Sequence, residues 1–218
     1  MTPTLTWDDK IAVINLGEDE NRFSPEFLDA INAHLDEIEA AGAQGLVTAG
    51  GAKFYTNGLD LDWLAAHAEQ GQAYVARVQA LLARVLTFPA PTAAAITGHA
   101  FGAGAMLAMA HDVRVMRADR GYFCFPEVDI RIPFSDGMAA LIQAKLTPRA
   151  AVASMTTGRR FGGAEAAEFG IVDATADEGA VTGAATDLVR PLAGKDPGTL
   201  GAIKQTMFRA AAQALTGV

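Results

Sequence analysis

Short apolar runs alternate with stretches of helical periodicity through the first part of the chain, and helical periodicity alone fills its end. IAVINL (11–16), GLVTAG (45–50), TAAAI (92–96) and YFCF (122–125) are short apolar runs and read as strands, and DVRVM (112–116) is strand-like. Ser24 followed by Pro25 has the form of an N-cap with proline at the first helical position. Phe27, Ile31, Leu35 and Ile38 then recur at helical spacing, and Gly42 is a natural stop. Trp63, Leu64, Tyr74, Val78, Leu81, Leu82 and Val85 predict one long helix over 62–86. GHAFGAG (98–104) reads as a glycine-rich turn opening a short small-residue helix at MLAMA. Beyond residue 137 the pattern predicts helices at 137–145, 148–156, 163–169, 178–192 and 197–215, with no further strand. Alternating strands and helices predict an α/β layered fold with largely parallel strands. The helical tail is expected to pack on the domain or on another subunit.

Composition narrows this picture. Half of the 218 residues are hydrophobic, enough for one substantial core. A net charge of −8 and a pI near 4.9 argue against nucleic acid as the main ligand. Cys124 is the only cysteine, so no internal disulfide forms and a reducing compartment fits. MTPTLTWDDK lacks the layout of a signal peptide, and no apolar run reaches the length of a membrane span. These features lead to the expectation of a soluble cytoplasmic protein with no membrane partner.

Several catalytic patterns are absent. There is no G-x-x-x-x-G-K-[ST] loop, and Leu107 stands where a third glycine would complete G-x-G-x-x-G. None of Ser24, Ser135 and Ser154 lies in G-x-S-x-G. His34, His67, His99 and His111 lack zinc-ligand spacing. Cys124 has apolar neighbours that would raise its pKa and make it inert. Three segments remain: KFYTNGLDLDWL (53–64), GHAFGAG (98–104) and FCFPEVDI (123–130). Glycines at a helix start leave N–H groups free for an oxyanion, though close helix packing explains them equally well. Glu127 sits among apolar residues, where a charge must be paired, hydrated or used. Taken alone it reads more naturally as a surface glutamate at the end of a strand.

The order of these segments changes that reading. A strand, F-x-x-G-x-D, a second strand, G-x-x-x-G-x-G and then P-E resembles the crotonase superfamily, the enoyl-CoA hydratase/isomerase family. NRFSPEFLDAI (21–31) and TGRRFGGAEAAEFGIVD (157–173) are similar to further segments of that family, so the resemblance covers roughly residues 10–175. It implies a crotonase-like ββα superhelix with a short C-terminal helical region, divided as a core over 1–190 and a helical segment over 191–218. It also implies acyl-CoA substrates whose enolate oxygen is held by the backbone N–H groups of Leu59 and Ala103.

The resemblance makes Glu127 the acid/base. Family hydratases use a second glutamate where this chain has Met106. A lone glutamate and the stretch EVDIRIPFSDGMAAL (127–141) are most similar to the Δ3,Δ2-enoyl-CoA isomerase branch. The implied substrate-binding residues are Lys53, Asn57, Gly58, Gly102, Met106 and Phe134, with Lys53 near the CoA phosphates and Met106 and Phe134 lining the acyl pocket. Asp129, which would share a face with Glu127 in an extended segment, and Asp136 are the alternative carboxylates. Asp60 and Asp62 read as helix caps. Trp63 and Tyr74 are expected near the acyl tunnel, and Lys204 and Phe208 near a neighbour's CoA site. The family implies a homotrimer or dimer of trimers, with no metal or redox cofactor and CoA as part of the substrate. An enoyl-CoA hydratase or other crotonase-type reaction, or a non-catalytic acyl-CoA-binding protein, are the alternatives.

Overall fold

The computed structural model describes residues 2–217; Met1 and Val218, the outer ends of the two expected segments, lie outside the described residues. A hairpin of β1 (Thr4–Asp8) and β2 (Ile11–Asn15) opens the chain, turning at Asp9 with a φ of 54°. Helix α1 (Pro25–Ala40) follows, capped by Ser24 Oγ, which accepts the Phe27 N–H.

A two-strand unit followed by helix then recurs three times. The first contains β3 (Gly45–Ala49), β4 (Phe54–Thr56), α2 (Leu61–Ala66) and α3 (Gly71–Leu86). The second contains β5 (Thr92–Ile96), β6 (His99–Phe101) and α4 (Ala103–Ala110). The third contains β7 (Val113–Arg117), β8 (Phe123–Cys124), the single turn α5 (Glu127–Ile130) and α6 (Asp136–Lys145). The first strand of each unit joins a six-stranded sheet of order β1-β2-β3-β5-β7-β9, parallel except for β1. The second strand joins a parallel sheet of order β4-β6-β8. The chain therefore winds as a superhelix of ββα turns. After α6 come α7 (Pro148–Met155), α8 (Gly163–Glu168), β9 (Ala174–Ala176), α9 (Val181–Val189), α10 (Pro197–Met207) and α11 (Arg209–Thr216).

Both faces of the large sheet are covered, which is why β3 and β5 are apolar or small at every position. Val181, Ala185 and Val189 of α9 pack on Ile11, Val47, Ala93 and Val115. Gly45 admits this contact, since a Cβ there would lie 2.2 Å from Val189 Cγ1. The opposite face carries the main core with α1, α3 and α4, and every residue of α4 is buried.

The structure corrects four sequence expectations. The long helix over 62–86 is broken into α2, a 3-10 turn at Ala68–Gln70, and α3. HAEQG (67–71) has no large apolar residue to hold a continuous helix on the core. The final part is not purely helical, because β9 extends the large sheet beside β7. Residues 99–101 form a strand rather than part of a turn, and the α4 helix begins at Ala103 rather than Met106. Lys204 and Phe208 face inward. Lys204 Nζ donates to the Ala90 carbonyl (2.7 Å) and Asp112 Oδ2 (2.6 Å), and buried Phe208 has the Lys145 ammonium 5.0 Å above its ring. Both are buried within their own chain. Helix α11 packs on α3 and α6 of its own chain, with Gly137 so close that a Cβ would lie 2.6 Å from the Ala214 carbonyl oxygen.

Candidate active site

A cavity of about 320 Å³ opens where the ends of β4, β6 and β8 meet α2, α4 and α5. Its walls include Asn57, Leu59, Gly102, Ala103 and Glu127, five of the residues expected at the site.

Glu127 reaches the cavity on a tight turn. Buried Phe125 anchors the chain after β8, and Pro126 then starts the single helical turn of α5. Arg131, in the left-handed region at φ 60°, ends that turn, and the Ile132 N–H donates to the Glu127 carbonyl at 3.0 Å. This overturns the expectation of an extended segment in which Asp129 shares a face with Glu127. Residues two apart on a helical turn diverge, and the Asp129 carboxylate packs on Gly158, where a Cβ would lie 2.2 Å from Oδ2. Asp136 is likewise away from the cavity, in the first turn of α6 behind its cap Ser135.

Glu127 is 9 % exposed, and its Oε2 has no hydrogen-bond partner among the described residues. Its Oε1 faces Gly102, 3.5 Å from where a Cβ would stand. Burial without a neutralising cation disfavours the charged form and lifts the carboxyl pKa from 4.5 to about 7.

The same cavity is bordered by two backbone donors. Gly58 takes φ 77°, and a Cβ on it would lie 2.8 Å from Ala103 N and 2.6 Å from Gly104 N. Only glycine permits both the conformation and this approach. The Gly58 N–H donates to Thr56 Oγ1 (2.9 Å) and the Asp60 N–H to the Tyr74 hydroxyl (2.8 Å). The Leu59 N–H between them finds no acceptor among the described residues. Ala103 is the first residue of α4, behind Gly102 at φ 52°, which has no capping side chain, and its N–H is also without an acceptor there. Two free N–H groups, one aided by a helix N-terminus, thus border a cavity shared with one buried carboxylate.

The other expected residues are distributed differently. Gly58 supports the site from behind the wall. Lys53 is exposed over the Phe54 ring and does not line the cavity. Met106 is 1 % exposed inside the core, and Phe134 packs edge-on against Phe125 rather than on the cavity wall. Trp63 and Tyr74 lie outside the wall with their rings 5.0 Å apart and tilted by 38°, and Asp60 caps α2 by accepting the Trp63 N–H. Asp62 is no cap; it lines the cavity mouth, exposed, and pairs with Arg22 at 2.5 Å. Cys124 is buried and burial pushes its thiol up to about 11, in keeping with an inert role.

Arg22, Leu61, Pro126, Ile130 and Ile132 complete the wall and were not anticipated. Leu61, Ile130 and Ile132 form a partly exposed apolar rim. The one available signal was an apolar residue three places after Glu127, which a helical reading of EVDI would have put on the same side.

Comparisons with known proteins place the chain in a family. The profile described as Enoyl-CoA hydratase/isomerase matches residues 7–218. Enoyl-CoA delta isomerase 3 of Arabidopsis thaliana is 37 % identical over 188 residues, covering 82 % of this chain and 79 % of that protein. The same plant's peroxisomal enoyl-CoA delta isomerase 2 is 37 % identical, covering 76 % of this chain and 74 % of that protein. The apo structure of an enoyl-CoA isomerase from Mycobacterium tuberculosis superimposes with a TM-score of 0.92 at 26 % identity, covering 99 % of this chain and 94 % of that one.

Proposed function

From the premise that this chain belongs to the enoyl-CoA hydratase/isomerase family, we propose that it is a Δ3,Δ2-enoyl-CoA isomerase using Glu127 for both proton transfers. The observation that carries this reading is the single buried carboxylate sharing a cavity with two free backbone N–H groups. Asp62, the other carboxylate on the wall, is 87 % exposed and held by Arg22, so it is a poor base in a dry site.

The substrate's thioester oxygen sits between the Leu59 and Ala103 N–H groups. Glu127 removes a proton from C2, and the electrons move onto the oxygen as a dienolate. The two N–H groups stabilise that charge, an effect worth about 3 kcal/mol of barrier for each donor. The protonated Glu127 then returns the same proton to C4, the electron pair re-forms the carbonyl, and the double bond comes to rest between C2 and C3. Atoms balance with no water consumed and no metal or redox group; CoA enters as part of the substrate. A pKa near 7 suits a group that must both take and give a proton near neutral pH. Hydration would also need a group to aim water at C3, and Met106, where the resemblance places the hydratases' second glutamate, is apolar and buried.

The assay is conversion of 3-hexenoyl-CoA to 2-hexenoyl-CoA, beside hydration of crotonyl-CoA. Isomerisation that falls by about 100-fold or more in Glu127→Gln is expected. Hydration as the faster reaction, or isomerisation that survives the substitution, would refute the reading. The same reading carries a cytoplasmic homotrimer or dimer of trimers, for which light scattering of the native protein gives the mass. Support for a multimer comes from Ile203 and Met207, one turn apart on α10, both apolar and exposed.

A further inference from the structure

His111 is fully buried, and neither the core nor the proposed chemistry uses its imidazole as a charge. Its Nδ1 lies 2.8 Å from the Leu107 carbonyl oxygen, which can only accept, so Nδ1 carries the hydrogen. Burial lowers the pKa to about 4, so Nε2 is a bare acceptor at neutral pH. The Thr48 hydroxyl, 3.0 Å away, must then donate to Nε2, and the Tyr55 hydroxyl, 2.7 Å from Thr48 Oγ1, must donate to Thr48. The order Tyr55 to Thr48 to His111 to Leu107 is fixed, and every member is at most 1 % exposed.

This chain of bonds joins the elements that hold the two free N–H groups. Tyr55 is in β4, four residues before Leu59, and Leu107 is in α4, one turn after Ala103. Strand β4 is held toward the loop before α1 by Asn21, whose Nδ2 donates to the Tyr55 carbonyl (2.9 Å) and whose carbonyl accepts the Thr56 hydroxyl (2.7 Å), but its only side-chain tie toward α4 is this relay among the described residues. It has three residues, its only ladder among the described residues is with β6, and the register slips at Tyr55, since Phe54 pairs with His99 and Thr56 with Ala100. A bulge loosens the ladder at that point. The spacing between β4 and α4 is nevertheless tight, because a Cβ on Gly104 would lie 2.2 Å from the Thr56 carbonyl oxygen.

We propose that the Tyr55–Thr48–His111 relay is a register pin that sets the separation of the Leu59 and Ala103 donors, making Tyr55 and Thr48 positioning residues for the reaction. The proposal rests on the reading that these donors hold the thioester oxygen. A misplacement of about 1 Å at such a site costs on the order of 100-fold in rate.

The test binds hexanoyl-CoA labelled with carbon-13 at the carbonyl, which cannot react, and reads the carbonyl stretch by difference infrared spectroscopy. In the wild type, a shift to lower frequency on binding is expected; no shift would defeat the oxyanion reading itself. In Tyr55→Phe and Thr48→Val, a stretch moved back toward its free value is expected. kcat should fall about 10- to 100-fold with KM changed less than about threefold, and Thr48→Ser should restore both. Tyr55→Phe keeps the Thr48–His111 bond, so it serves if Thr48→Val fails to fold. A wild-type carbonyl shift retained in folded Tyr55→Phe with unchanged kcat, whatever its melting temperature, would overturn the pin.

Discussion

Glu127 combines a function with a stability cost. Its carboxyl pKa of about 7 in the folded chain lies above the 4.5 of a free side chain, so the folded state holds an extra proton between those values. Stability from this group is therefore full below about pH 4.5 and falls as pH rises to about 7, by up to ~3 kcal/mol. Glu127→Gln should lower activity by about 100-fold or more yet melt higher than the wild type at pH 8, which differential scanning calorimetry would show. The rate should follow the ionised base and fall as pH drops below about 7, measured as kcat/KM against pH. Gly58→Ala should lower kcat by about 100-fold or more in a folded protein, because the new Cβ pushes against Ala103 N and Gly104 N; steady-state kinetics with circular dichroism would check it. Glu127, Leu59 and Ala103 were legible because each belongs to a short segment with a recognisable order. Arg22 and Leu61 were not, since the wall they form joins segments far apart in the chain, and Met106 and Phe134 were misplaced because apolar side chains near a site serve core and cavity alike.

At the scale of elements, length decided what could be read. β3 and β5 are five-residue strands buried at every position, and their runs of apolar and small residues announce them. FYT and HAF span three residues each, too few to establish a period, and they are strands only because β4, β6 and β8 pair with one another. EVDI looked extended because it follows a Phe-rich strand; the Pro126 N–H is absent and its ring starts a helical turn instead. Lys204, expected near a neighbour's CoA site, is bound inside the fold by Asp112 and Ala90, partners too distant in the sequence to leave a local sign. Lys204→Met should leave Asp112 short of its cation and destabilise the protein by about 3–5 kcal/mol, measured by urea unfolding. Because this ion pair ties α10 to the start of β5 and the end of α4 rather than to the cavity, kcat of the folded fraction should change less than about threefold.

For the whole molecule, two buried groups oppose each other in acid. His111 has its pKa lowered to about 4 from 6.5, so the unfolded chain binds the extra proton and stability from this group is lost as pH falls from about 6.5 to about 4. Glu127 acts in the reverse sense from 4.5 to 7. Their contributions cancel over much of the overlap, and Glu127→Gln should expose a steeper acid limb of about 1.4 kcal/mol per pH unit in unfolding curves taken from pH 4.5 to 6.5. The superhelix explains why so much chemistry fits in a small site: each ββα turn delivers one segment to the same end of the small sheet, bringing Leu59, Ala103 and Glu127 together from three successive turns. The central claim is that one carboxylate carries one proton from C2 to C4. The most direct measurement uses 3-hexenoyl-CoA carrying two deuterium atoms at C2, followed through a single turnover in ordinary water by mass spectrometry and NMR. Deuterium found at C4 of the 2-hexenoyl product is the expected result, because buried Glu127 holds the label between the two transfers. Product with only solvent hydrogen added at C4 would contradict a single shuttling carboxylate and call for a second group.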